Sequence, residues 1–398
     1  MNISEKIHID AFLYAVYAAI IPINMIMNYS GKATVNKQIG IIAVIAMLLF
    51  IILQHKYMFL YNPNKGLIVF FIYSLFSLVW SVSFTDSIAA LTTLFSLLFI
   101  YLIGKLRAFN SKEVLIISIC MIALASAIPF FLGINKAVSY SRGTLMNENG
   151  AADHNGLACN LVFGAILALD KFFSIKKRFF KYVFAAGTGL IIIAIFITGS
   201  RSAIIALGVS VIYYLIKSFP KLKGSRSFWG TIILTVVAFV AVYYYLENHL
   251  HSAVIKRLGL VAILYGRGNG RIDIWKNILK IIGDNPIRAL FGWGYGTQKV
   301  VYASYYGIRD AAHNVFLQLW LDVGIIGMAA FLAGIMKFWK DANYYHVYVS
   351  NALWLALFIT FMTLSFSTNK GAWNVFLLMY LFTLHQSESQ EPKRSKST

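Results

Sequence analysis

Apolar runs separated by short polar turns recur along almost the whole chain. A helix needs about 20 mostly apolar residues to cross a bilayer core. Windows of that size fall near residues 10–28, 39–54, 66–84, 87–104, 113–132, 154–169, 181–199, 202–217, 229–246, 313–336, 346–366 and 371–386. The pattern predicts an all-α integral membrane protein of about 12 transmembrane helices. Two segments break the rhythm. Ser139 to Gly156 (SYSRGTLMNENGAADHNG) has the Gly, Asn and Asp content of turns, and Glu247 to Ala312 is the longest polar stretch. Within the second, Ile272, Trp275, Ile278, Leu279 and Ile282 recur at three- and four-residue spacing. That spacing predicts a short amphipathic helix from Arg271 to Ile282, ended by Gly283-Asp284-Asn285-Pro286. Phe291-Gly292-Trp293-Gly294-Tyr295-Gly296 then reads as a tight turn in which glycines permit unusual backbone angles.

The expected organisation is one polytopic membrane domain over residues 1–386, with 247–312 as a long periplasmic or extracellular loop. Residues 387–398, rich in Ser, Lys and Glu, form a disordered cytoplasmic tail. The first apolar run is followed by Asn28-Tyr29-Ser30-Gly31-Lys32 rather than a small-residue cleavage site, so it is expected to remain as an anchor.

Composition agrees with a membrane chain: 59% of the 398 residues are hydrophobic and only 13% are charged, outside the soluble range. The net charge of +20 is distributed unevenly. With both termini cytoplasmic, the inner segments hold runs such as Lys171, Lys176, Lys177, Arg178 and Lys181, then Lys217, Lys221, Lys223 and Arg226, whereas the short outer loops hold fewer. This is the positive-inside asymmetry, and it argues against nucleic acid as partner. The long outer loop is basic as well, which calls for an anionic ligand or lipid headgroups. Cys120 and Cys159 fall within spans and read as packing residues. No Cys/His cluster has zinc spacing, and the loop acids Glu247, Asp273, Asp284 and Asp310 form no pair to chelate Mg²⁺, so no metal and no cofactor are expected.

Polar candidates gather at the outer boundary. Arg201, in Thr198-Gly199-Ser200-Arg201-Ser202, is either a snorkelling helix-end anchor or a planar guanidinium aimed at phosphate. Arg271 opens the amphipathic helix, where a cation gains nothing from the macrodipole, so it pairs with Asp273 or with an external anion. Trp275, one turn on, is a candidate substrate contact. His313, just after the long loop, is a helix-start capping residue or a proton acceptor near neutral pH, and Asn314 orients it or binds a sugar hydroxyl. Arg142, with Asn147, Asn149, Asp153 and Asn155, makes a polar rim suited to sugars, and equally an ordinary turn. Spans nearly free of charge apart from Asp322 disfavour a polysaccharide transporter, whose ionisable groups sit at mid-membrane.

Taken together, these motifs resemble the O-antigen ligase and polymerase superfamily of bacterial envelope glycan enzymes. The resemblance rests on Gly199-Ser200-Arg201-Ser202, Gly270-Arg271 followed by Trp275, Gly292-x-Gly294-x-Gly296, His313-Asn314 with Leu317-Gln318, and Gly324-Ile325-Ile326-Gly327. It spans about residues 140 to 335, with Asp153 to Ala158 a looser match in which His154 stands where relatives often carry proline. It implies transfer of a glycan from an undecaprenyl-diphosphate carrier to an acceptor hydroxyl, with inversion and without a metal or nucleotide sugar. On the matching positions, Arg201 and Arg271 hold the donor diphosphate and His313 takes the acceptor proton. The implied setting is the bacterial cytoplasmic (inner) membrane, with the site on its outer face and envelope glycan assembly proteins as possible partners. The modest loop and the lack of another recognition domain lean towards an exopolysaccharide or O-antigen polymerase. Ligation to lipid A-core is the alternative, and protein O-glycosylation a third reading.

Overall fold

A computed structural model describes residues 64–92, 94, 111–134, 146–147, 150–151, 154–222, 244 and 270–364. In chain order the helices are α1 (Lys65–Phe76), α2 (Ser111–Ile134), α3 (His154–Ser174), α4 (Arg178–Thr198), α5 (Arg201–Leu222), α6 (Arg271–Asp284), α7 (Pro286–Phe291), α8 (Gln298–Tyr306), α9 (Val315–Tyr344) and α10 (Tyr348–Phe361). A 3-10 turn, Ser77–Trp80, extends α1, and residues 84–92 form a further short helical segment. The described β structure is a two-residue antiparallel ladder that pairs Met146 with Ala151 and Asn147 with Gly150. Four described helices are long and apolar enough to cross a membrane: α3, α4, the Arg201–Ser218 part of α5, and α9. The windows expected at 10–28, 39–54 and 371–386 lie outside the described residues, as does the tail, and those at 87–104 and 229–246 lie mostly outside them.

The chain divides into two compact units. The first holds the described residues between 111 and 244 together with 347–359. Its centre is α3, whose residues from Gly156 to Leu169 are all buried. Small residues let its neighbours close in: the Cβ of Ala125 on α2 occupies the space beside Gly164. The phenol of Tyr214 on α5 donates to Asp170 Oδ1 near the C-terminal end of α3 (3.0 Å), and Asn351 Nδ2 on α10 donates to the Tyr213 hydroxyl (3.1 Å).

The second unit holds the described residues between 64 and 94, 270–346 and 360–364. Here α1 and α9 meet at Gly66 and Gly334, where a Cβ on Gly66 would run into the backbone of Ala333 and Gly334. Small residues of this kind allow close helix approach within a membrane. Asn64 Nδ2 donates to the Gly334 carbonyl at 2.8 Å, and the Phe70 ring packs tilted against that of Phe331, with centroids 5.1 Å apart. Against this pair lies a second core made by Ile278, Ile281 and Ile282 of α6 with Trp293, Val301, Tyr302, Ala312 and Leu321.

Three local features differ from the pattern reading. The run at 66–84 is not one span. Its helix stops at Trp80, because Val82 N–H turns away to the Trp293 carbonyl (3.0 Å) and the Ser81 hydroxyl takes Ser83 N–H (3.2 Å) and meets Ser87 Oγ (2.7 Å). The described part of the long loop is built of three helices, α6, α7 and α8, rather than one. The run at 313–336 extends to Tyr344 and breaks at Gly324 (φ 65°, ψ −177°). The helix expected over 271–282 is present as α6. It ends where Asn285 starts α7 by accepting Arg288 N–H (3.1 Å), with Pro286 in the first turn, where its missing N–H costs nothing.

Candidate functional site

The break in α9 organises the second unit. At Gly324 the helix ladder is interrupted, and two carbonyls of the preceding turn take partners from the glycine-rich turn instead. Leu321 O accepts Trp293 N–H (3.0 Å) and Asp322 O accepts Gly294 N–H (2.9 Å). Gly292 (φ 81°) and Gly324 pass each other with no room for side chains. A Cβ on Gly292 would lie 2.6 Å from Gly324 N, and one on Gly324 would lie 2.6 Å from Phe291 N. Both the positive φ and the close approach require glycine here.

Asp322, fully buried beside the break, receives the start of α8. Its Oδ1 accepts Gln298 N–H at 2.8 Å, the amides of Gly296 and Thr297 also donate to it, and Gln318 Nε2 reaches Oδ2 at 3.4 Å. Converging amides satisfy a carboxylate that burial would otherwise penalise heavily. Tyr295 in the same turn is buried, and that burial, with the nearby Asp322 charge, pushes its phenol well above the usual range. It is a neutral packing group, edge-on to Phe70.

Gln298 in turn holds the segment before His313. Its Nε2 donates to Asp310 O (3.0 Å) and its Oε1 accepts Ala312 N–H (3.1 Å). From the other side, the indole of Trp275 donates to Ala312 O at 2.9 Å. Ala312, fully buried, is thus held at both its amide and its carbonyl. On the far side of His313, Asn314 caps α9, its Oδ1 accepting Phe316 N–H (3.0 Å) and Leu317 N–H (3.1 Å). His313 itself, half-buried between these fixed neighbours, adopts a left-handed backbone (φ 49°). That conformation costs a non-glycine residue about 1–3 kcal/mol and persists only where the surroundings over-determine it.

Arg271 is the first residue of α6, after Gly270 in the left-handed region (φ 79°). Trp275 follows four residues later on the same helix face. One helix therefore carries the guanidinium and the indole that anchors the His313 segment. Arg201 lies in the first unit, at the start of α5, directly after a two-residue link from α4. Gly199 (φ 61°) closes α4 by donating to Phe196 O (2.9 Å), Ser200 O accepts Ile204 N–H (3.2 Å), and Ser200 N–H bonds Thr198 Oγ1 (3.3 Å). Arg201 is therefore the first helical residue after this short turn. Asn155 sits half-buried in the first turn of α3 in that same unit, and Arg142 lies outside the described residues. Among the described residues no group of three His, Cys, Asp or Glu could hold a metal ion.

These positions fall in one stretch of chain. Residues 186–332 match the O-antigen ligase family. The match runs from within α4 into α9 and takes in Arg201, Arg271, Trp275, His313 and Asn314, so the resemblance read from the motifs is borne out. It does not extend to Arg142 or Asn155. No curated protein matches the chain. A match to O-antigen ligases, on a chain with several apolar helices, supports an enzyme of a bacterial membrane that handles lipid-linked glycans.

Sequence reasoning passed over Gln298 altogether and noted Asp322 only as the lone charge in a span. That charge was the available signal, since an ionisable residue inside a span has a partner or a function. Gln298, in a loop rich in polar residues, gave none.

Proposed function

We propose that this protein transfers a glycan from an undecaprenyl-diphosphate carrier to an acceptor hydroxyl at the outer face of the bacterial cytoplasmic membrane. The observation that supports it most is the pose of His313. A residue held in a strained backbone by clamps on both sides, within the family-matched segment, has the preorganisation that catalysis rewards. In this reading the His313 imidazole accepts the proton of the acceptor O–H as its oxygen attacks the anomeric carbon from the face opposite the leaving group. The bond from that carbon to the phosphate oxygen breaks, the electron pair leaves on undecaprenyl diphosphate, and the anomeric configuration inverts. Arg271 meets the charge that grows on the diphosphate, a role its planar fork of donors suits and which needs no metal. Arg201 takes a share of the same role by the resemblance, and the face of Trp275 rests on the glycan.

The leading reading is polymerisation, in which the acceptor is another lipid-linked repeat unit. Ligation to lipid A-core is the second, favoured by the matched family's own description as O-antigen ligase. Purified protein given lipid-linked repeat units alone separates them. A ladder of longer lipid-linked chains supports polymerisation, and product only after lipid A-core is added supports ligation. If Arg201→Ala, Arg271→Ala and His313→Ala each kept full transfer at normal protein level, the whole assignment would fall.

A further inference from the structure

Between the break in α9 and His313 there is a continuous chain of hydrogen bonds that the transfer chemistry does not use. Asp322 holds the Gln298 backbone amide, and the Gln298 carboxamide, itself 2% exposed, holds Asp310 O and Ala312 N–H at once. An amide is suited to this double task because it has a donor and an acceptor on one planar group. Trp275 closes the other side of Ala312. Neither the Gln298 side chain nor Asp322 has exposed surface with which to touch a substrate.

We propose that Gln298, seated by Asp322, is a positioning residue for His313. It sets the left-handed backbone from which the imidazole works and contributes nothing to donor binding. The inference rests on the catalytic reading of His313. It adds that the accuracy of that residue is set by α8 and the α9 break rather than by the loop that precedes it.

The test uses the full-length protein in detergent, with a native undecaprenyl-diphosphate-linked repeat unit as donor and hydrogen exchange as a second readout. Gln298→Met keeps the volume and removes both side-chain bonds. The expected result is a fall in kcat of about 10- to 100-fold with donor KM unchanged, the size of loss that misplacing a catalytic group brings. Amide exchange should quicken over 310–314 and stay as in the wild type in α6 and in α9 beyond Gly324. Asn277→Ala, which removes a hydrogen bond to the Tyr302 hydroxyl in the same core, should keep wild-type turnover. Should Gln298→Met not accumulate, Gln298→Asn keeps the carboxamide but draws it back by one methylene from Asp310 O and Ala312 N–H, and must show the same split. Wild-type kcat in Gln298→Met, or a raised donor KM with kcat intact, overturns the proposal while an inactive His313→Ala leaves the functional reading standing. Full activity in His313→Ala removes both.

Discussion

The indole N–H of Trp275 and the carbonyl of Ala312 meet at 2.9 Å across 37 residues of chain, tying the helix that begins with Arg271 to the residue before His313. Trp275→Phe keeps an aromatic ring but removes the pyrrole portion with its donor and leaves the Ala312 carbonyl without this partner. It should lower stability by about 1–3 kcal/mol, the usual cost of stranding a buried polar group. Transfer should fall further than that loss of folded protein explains. Thermal unfolding in detergent beside single-turnover rates would check it, and equal losses in both would mean that the bond serves folding only.

The crossing of Gly292 and Gly324 leaves no space for a methyl group on either residue. Gly292→Ala and Gly324→Ala should each cost more than about 2 kcal/mol, because the added Cβ meets backbone and the positive φ is strained as well. Gly283 in α6 is the contrast, since a Cβ there meets nothing within 4 Å. Gly283→Ala should stabilise by about 0.4–1 kcal/mol through a smaller unfolded ensemble. Melting temperatures of the three variants decide the matter.

Asp322 accepts amides that have no water to turn to, being fully buried itself. Asp322→Ala leaves several buried donors unpaired at about 1–3 kcal/mol each. It should accumulate poorly. Asp322→Asn retains one acceptor oxygen and should be the milder change, recovered at higher yield and melting between the wild type and Asp322→Ala. The reverse order of yields would contradict this account of the α8 start.

At the start of α5, Arg201→Lys separates charge from geometry. A lysine keeps the positive charge but not the planar donor fork that pairs with phosphate. If Arg201 binds diphosphate, the lysine variant should lose about tenfold or more in kcat/KM, roughly 1.4 kcal/mol or more of transition-state stabilisation, while folding normally. An unchanged rate would return Arg201 to the role of an interfacial anchor. By contrast, the exposed Arg309–Asp86 pair (3.4 Å) should be worth under about 1 kcal/mol, so Arg309→Ala should leave both melting and transfer close to wild type.

What the sequence determined by itself was local. The apolar windows at 154–169, 181–199 and 202–217 are helices, the three- and four-residue spacing of Ile272, Trp275, Ile278 and Ile282 became α6, and Asn285-Pro286 ended it. The motif order also led to the family, because Arg201, Arg271 and His313 lie in the matched segment. Each of these signals depends on residues a few positions apart, which periodicity and capping rules can read. Only the tertiary structure decided where the helices break and what the polar groups hold. Gly324 looked like one more small residue in a span until the Gly292–Gly294 turn was seen against it. The run at 66–84 stopped early because a carbonyl more than two hundred residues away claimed Val82 N–H. Gln298 and Asp322 came to bear on His313 through bonds 14 and 24 residues long in the chain. A hydrogen bond between distant residues leaves no period in the sequence, since its partners are chosen by packing and not by spacing.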